Sequence, residues 1–210
     1  MGQTARPTGC AVSLEYPTGD HSMFSRLAAI HYLRGFDIDR LFIDVCAKCA
    51  RDGMRLGGLV QMTTGERGGN CAATIHVVDL RTQKAFDIWE DRGACAKGCR
   101  LDERGLADAE PAIMQAIADR VDLLVINRFG RAESLGRGLR TCLEAALAAD
   151  VSVLTAVRKP YDDAWQQFHG GVGYDLPCDI DQVTDWALDA RATRSHAEKW
   201  QSLRAPGQLD

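Results

Sequence analysis

The sequence has no run of about 18 apolar residues, so no segment reads as a membrane-crossing helix. Met1 to Ser25 has no apolar stretch of the kind a secretory leader needs, and a cytoplasmic protein with no membrane partner is expected. A basic surplus is also missing. Lys and Arg number 25 against 29 Asp and Glu, a formal net charge of −4 that argues against a nucleic-acid partner. There is no internal repeat and no low-complexity tract. What is present is ordinary for a globular chain: 46% hydrophobic and 26% charged residues over a length of 210, enough to bury one core without disulfides or a metal. The eight cysteines read as reduced thiols in a reducing compartment, with Cys46, Cys49 and Cys142 in apolar periodic positions as small core residues.

Residues 1–25 hold Pro7, Gly9, Pro17 and Gly19 without periodicity and read as a loose extension, in which Met23 stands as an alternative start. A single α/β domain is expected over 26–195, followed by a polar tail over 196–210. LAAIHYL (27–33) is strand-like, and Asp37 or Asp39 can cap a helix over 39–51. MRLGGLVQM (54–62) is a second strand, in which Gly57 and Gly58 allow close approach of a neighbouring backbone. Residues 63–70 read as loop, 71–80 and 84–90 as an antiparallel hairpin, 92–100 as a second Gly-rich loop, and 103–119 as a helix capped by Asp102. VDLLVIN (121–127) and VSVLTAV (151–157) are near-continuous apolar strands, the mark of burial on both faces of a parallel sheet. One helix is expected between them after a loop, ending near 149, then short and long helices over 161–170 and 179–194. The fold class that follows is α/β, a three-layer α/β/α sandwich on a mainly parallel sheet with an antiparallel hairpin insertion.

Three segments could carry chemistry. NRFGRAESLGRGLR (127–140) follows a buried strand and opens a helix, the usual ligand position in an open α/β sheet. Its Arg128, Arg131, Arg137 and Arg140 match oxyanion geometry, and Gly130, Gly136 and Gly138 let a backbone come near a ligand. Glu133 could orient a water or pair with an arginine. In the second segment, RGACAKGCRLD (92–102), Arg92, Lys97 and Arg100 lie among glycines just before a helix start, a further anion cradle. Cys95 and Cys99 there could suit a metal or a redox pair, yet no second cysteine pair completes a zinc set. The third is YLRGFDID (32–39), where a phosphate loop would read GxxxxGK[ST]. Arg34, Gly35 and Asp37 occupy it, and the lysine and the Ser/Thr are missing. The five histidines show no metal-ligand spacing, and His169, ending a helix, is expected to complement its dipole. There is no GxSxG element.

GGLVQ (57–61), RGACAKGCRLD (92–102), DLLVINRFGRAESLGRGLR (122–140) and VLTAVRKPYDDAWQQFHGG (153–171) resemble an uncharacterised bacterial domain-of-unknown-function family that is distantly similar to P-loop nucleoside triphosphatases. The resemblance covers about 26–190 and implies a P-loop-NTPase-like fold. In those triphosphatases the matching strand ends in an acidic motif resembling DEIGxxE. Here Asn127 and Arg128 stand where its first two acids would be, and Glu133 matches its last. Members are often encoded beside molybdenum or tungsten transport genes, which implies handling of molybdate-like oxyanions. The expected function is thus binding of an oxyanion or a nucleotide phosphate on a degenerate phosphate-loop fold. Its ligand would be a small anion, molybdate or tungstate or a nucleotide with Mg, and homo-oligomerisation is left open. Two rivals stand beside it: a Mg-dependent nucleoside triphosphatase using Glu133, and a metal or redox protein using Cys95 and Cys99.

Overall fold

The computed structural model of the chain describes residues 25–64, 74–88 and 102–204. Its elements run β1 (Leu27–His31), α1 (Ile38–Arg51), β2 (Leu56–Thr64), β3 (Thr74–Asp79), β4 (Ala85–Asp87), α2 (Glu103–Ala118), β5 (Leu123–Ile126), α3 (Arg131–Ser134), α4 (Arg140–Ala148), β6 (Val153–Val157), α5 (Asp162–His169), β7 (Tyr174–Leu176) and α6 (Ile180–Arg204). The strands form one sheet in the order β4-β3-β2-β5-β6-β1-β7. From β2 to β7 every pairing is parallel, and β3 with β4 extends the β2 edge as the expected antiparallel hairpin.

The apolar runs are explained by burial on both faces. In β5, Leu124 and Ile126 point into a core shared with Ile113 of α2, Leu143 of α4 and Trp165 of α5. Leu123 and Val125 point the other way, to Phe42 of α1 and Trp186 of α6. All four β5 residues are fully buried, so no polar alternation is allowed. Side chains of this kind each stabilise the fold by about 1.5–3 kcal/mol when taken wholly out of water. Two helices on one face and three on the other complete the three layers. Among the described residues no helix is long and apolar enough to cross a membrane.

Gly57 and Gly58 do admit a close neighbour. A Cβ on Gly58, whose φ is +96°, would stand 2.0 Å from the Val125 carbonyl oxygen, and one on Gly57 would stand 2.6 Å from Ala116 Cβ. The helix caps also form as expected. The Asp37 carboxylate accepts the Arg40 N–H at 3.0 Å and that of Asp102 accepts the Arg104 N–H at 2.9 Å, each cap being worth about 1 kcal/mol.

Several expectations needed correction. The helix expected after the β5 loop forms as α4 and ends at Ala148; the loop before it holds one further short turn, α3, which Gly136 and Gly138, with φ of +77° and +60°, keep separate from α4. Strand β2 starts two residues late and runs through Thr64, so positions 63 and 64 are strand. The final helix continues to Arg204, past the expected end near 194. Strand β7 was not foreseen: three residues, one of them largely exposed, carry no periodic signal. His169 is not a dipole-facing cation. It is buried, its Nδ1 accepts N–H groups from Gly171 and Gly173 at 3.1 and 2.9 Å, and burial holds its pKa below the ordinary value. Cys46, Cys49 and Cys142 are buried thiols, with burial pushing them up to about 12, about 11 and about 12 respectively, so none is a ready nucleophile.

Candidate functional site

The carboxyl ends of β1, β2, β5 and β6 converge on two adjoining cavities. The larger, of about 760 Å³, lies over the β1–α1 turn and is lined by Arg34, Gly35, Asp37, Asp39 and Arg40. The smaller, of about 300 Å³, lies between β2, β3, α2 and the β5–α3 turn. Tyr32, Gln61, Ile75, Arg128 and Arg158 line both, so the two spaces share a wall.

Behind that wall, on the side of the larger cavity, stands Asp39, in the first turn of α1. One of its carboxylate oxygens accepts from Arg128 Nη2 at 2.7 Å and from Asn127 Nδ2 at 2.9 Å; the other accepts from Gln61 Nε2 at 2.8 Å. Arg128 also donates from Nη1 to the Tyr32 hydroxyl at 2.9 Å, with its guanidinium 5.7 Å from the Tyr32 ring centroid. The sequence offers Asp39 only as an alternative cap for α1 and Gln61 only as part of a strand, since a lone acid on a helix and an amide in a strand are common. Asp39 became visible only when Asn127 and Arg128 proved to be donors that need an acceptor.

The arginines expected to meet an anion divide into two groups. Arg128 is committed to Asp39, and Arg140 donates from Nε to Glu144 at 3.0 Å while its guanidinium lies 4.8 Å over the Phe168 ring. Arg34 and Arg131 are exposed and make no side-chain hydrogen bond or ion pair to any other described residue, and each lines one of the cavities. Arg158, directly after β6, is half-buried, lines both cavities and is likewise without a partner among the described residues. It was missed in the sequence, although it follows a buried strand just as Arg128 does. Arg137 is exposed and has contacts of its own. Arg92, Cys95, Lys97, Cys99 and Arg100 lie outside the described residues. Among the described residues no group of three His, Cys, Asp or Glu side chains is placed to hold a metal ion.

Glu133 sits at the smaller cavity, only 5% exposed. Its Oε2 accepts the Gly130 N–H at 3.0 Å and its Oε1 the Leu139 N–H at 3.1 Å. The carboxylate therefore ties the two ends of the β5–α4 connection together. Burial raises its pKa above the ordinary value, and the N–H donors offset part of that rise. The loop is further fixed by Phe129, which is fully buried edge-on against Trp165 with ring centroids 5.3 Å apart. Gly138 has to be small, because a Cβ there would meet Glu133 Oε1 at 2.4 Å. Gly130 and Gly136 carry no such constraint on space.

The β1–α1 turn has an electrostatic character of its own. The positive end of a helix favours an anion, but Asp37 as the cap and Asp39 in the first turn already supply two negative charges. Positive charge without a partner among the described residues stands beside them on Arg34, in the same turn, and on Arg158 after β6.

Comparison with known proteins supports this architecture. The chain is similar to the solution structure of a human cancer-related nucleoside triphosphatase, with a TM-score of 0.55 at 12% identity, over 80% of this chain and 96% of that one. At such identity the likeness concerns the fold, which is α/β and P-loop-NTPase-like with the antiparallel hairpin added at one edge. The molybdenum import ATP-binding protein ModC 2 of Bradyrhizobium diazoefficiens is 41% identical over 165 residues. That match takes in 79% of this chain and 18% of the relative, so the chain spans less than a fifth of the relative's length. The family described as protein of unknown function (DUF2478) matches residues 27–186, most of the chain, and the protein belongs to that family.

Proposed function

We propose that the protein binds a small oxyanion, or the phosphate of a nucleotide, at the carboxyl edge of its sheet, and binds it without hydrolysing it. The observation that carries this reading is Arg158: a half-buried guanidinium on the wall of both cavities, with no carboxylate partner among the described residues. A guanidinium in that position presents several N–H donors in a fixed fork that suits a tetrahedral oxyanion. Arg34 supplies a second charge from the phosphate-loop position, and Arg131 a third from the β5–α3 turn.

The same geometry counts against hydrolysis. Glu133 has each oxygen bound to a backbone N–H, so its role here is to shape the loop rather than to orient a water. Asp39 is neutralised by Arg128 and by two amides, which leaves little charge there to draw a divalent cation. The loop has no lysine to meet a terminal phosphate. The name of the ModC 2 relative brings molybdate into the range of anions to be tried, with tungstate as its close chemical analogue.

The test is calorimetric titration with molybdate, tungstate, phosphate, ATP and GTP, on the natural chain and on Arg158→Gln. Binding by at least one of these ligands is expected, weakened about tenfold by the substitution, or about 1.4 kcal/mol. No heat at millimolar ligand, or affinity indifferent to Arg158→Gln, overturns the reading. Mg-dependent release of phosphate that disappears in Glu133→Gln would restore the hydrolytic alternative.

A further inference from the structure

The edge strand β7 is tied to the molecule through a histidine used as an acceptor. Leaving α5, the chain turns through Gly170 and Gly171, with φ of +57° and +92°, and folds back over the His169 ring. Nδ1 of that buried ring accepts the N–H groups of Gly171 and Gly173 at 3.1 and 2.9 Å. Gly173 lies so close that a Cβ there would stand 2.7 Å from His169 Cγ. An imidazole nitrogen that accepts N–H bonds carries no proton, so the neutral ring holds its proton on Nε2, which is buried without a hydrogen-bond partner among the described residues. One place is left for a second proton, and that place is Nδ1. Protonated there, the ring is a donor facing two donors, and both bonds are lost.

We infer that His169 is an acid-released latch: a proton on Nδ1 frees the turn over residues 170–173, and with it β7, while the other six strands stay paired. The sheet order permits this, because β7 is an edge strand of three residues that pairs with β1. Its further ties include the bond from His31 Nε2 to Asp175 at 2.8 Å and that from Cys178 Sγ to the His31 carbonyl at 3.2 Å. Val172 and Tyr174 are exposed, and an edge so attached opens at lower free energy than the core. The charged groups around the ring oppose one another. Asp175 from β7 favours the charged imidazole and His31 from β1 disfavours it, while Asp162 at the start of α5 lies 3.9 Å from His31, and Arg140 from α4 rests on the adjacent Phe168 ring. Burial outweighs them and holds the ring below the ordinary value of 6.5. A base kept neutral in this way contributes its stability in full above that ordinary value and loses it as pH falls through the folded one. The latch is therefore closed at neutral pH and opens on the acid side, baring the Ala28–Ile30 edge of β1. No ligand at the carboxyl edge of the sheet is needed for it.

Backbone hydrogen exchange of the full chain, at about pH 7.5 and about pH 5 with labelling times matched to intrinsic exchange, compares residues 170–177 with the central strand at 122–127. Protection of 170–177 is expected to fall in acid by about tenfold or more beyond any change at 122–127. In His169→Asn, whose amide oxygen takes the place of Nδ1 and does not titrate, that extra loss should vanish. In His31→Gln it should remain, which separates the latch from the neighbouring His31–Asp175 pair. No extra loss in the natural chain overturns the inference, as does an equal loss in His169→Asn or a loss that vanishes in His31→Gln alone. Should His169→Asn not fold, the ring nitrogens of the natural chain are followed by NMR. His169 Nδ1 should be unprotonated at neutral pH and gain its proton in step with the opening of 170–177. A ring that protonates while the segment stays protected, or an opening that precedes protonation, overturns the latch.

Discussion

The two turns that meet at the site use arginine in opposite ways. After β5, Arg128 and Arg140 are fixed by Asp39, Tyr32, Glu144 and the Phe168 ring, and the connection is closed by Glu133. After β6, Arg158 stands on the cavity wall with no partner among the described residues. An arginine count does not distinguish these turns; the positions of carboxylates do. A guanidinium already paired to a carboxylate must lose that contact before it can take a ligand, whereas an unpaired one need not. The richer turn is therefore structural in character, and the poorer one is where the proposed anion would meet an unpaired guanidinium.

The sharpest way to break this contrast is to remove the carboxylate that closes the β5 turn. Glu133→Ala is expected to destabilise the fold by about 2–3 kcal/mol, because two backbone N–H groups lose their acceptor at once. Urea denaturation measures it; a loss under half of that would mean the loop is held by other contacts. Glu133 also predicts a pH signature. Its folded pKa lies above the ordinary value, so the stability it contributes is full below that unfolded value and is lost as pH rises through the folded one. Relative to Glu133→Gln, the natural chain should therefore lose thermal stability as pH rises above about 4.5. A relative gain over that range would reverse the sign of the shift.

Next in size is Arg158→Gln, with oxyanion affinity down about tenfold and folding stability changed by less than about 0.5 kcal/mol, as for an exposed or half-exposed residue with no partner. If stability falls instead, Arg158 belongs with the fixed arginines. Asp39→Asn probes the same contrast from the other side. It should release Arg128 from its ion pair and raise oxyanion affinity by about threefold to tenfold, or about 0.7–1.4 kcal/mol; unchanged affinity in a folded variant would show that Arg128 cannot turn to the cavity. The smallest effect belongs to Arg140→Gln. Loss of an exposed helix pair and a cation–π contact should cost less than about 1 kcal/mol, with oxyanion affinity unchanged. A drop in affinity there would place Arg140 in the site.

The sequence disclosed the sheet better than the site, for a physical reason. VDLLVIN and VSVLTAV are legible because burial on both faces leaves a continuous apolar run that needs no knowledge of neighbours. Gly57 and Gly58 were legible for a similar reason: a residue with no Cβ inside a strand signals a close approach. The split between α3 and α4 depends on positive φ at Gly136 and Gly138, and glycine in a loop permits that conformation without demanding it. The pairing of Arg128 with Asp39 spans 89 positions along the chain, and no local pattern encodes it. Arg158 carries no local signal either, since a lone arginine between a buried strand and a short helix looks like any other surface residue.

Strand β5 is anchored at its other end, far from either cavity. Asp122 accepts from the Arg55 N–H at 2.8 Å and from Arg194 Nη2 at 2.5 Å, and Arg194 also donates to the Val121 carbonyl at 2.7 Å. Both ionic side chains are buried, so this clamp from α6 is costly to break. Its place at the amino end of β5 means that the central strand keeps one anchor that residues 127 and 128 at its carboxyl end do not share. A lineage on this scaffold can exchange acids for amides or guanidinium groups at positions such as 127 and 128, and so change its chemistry, while the strand that presents them stays in register.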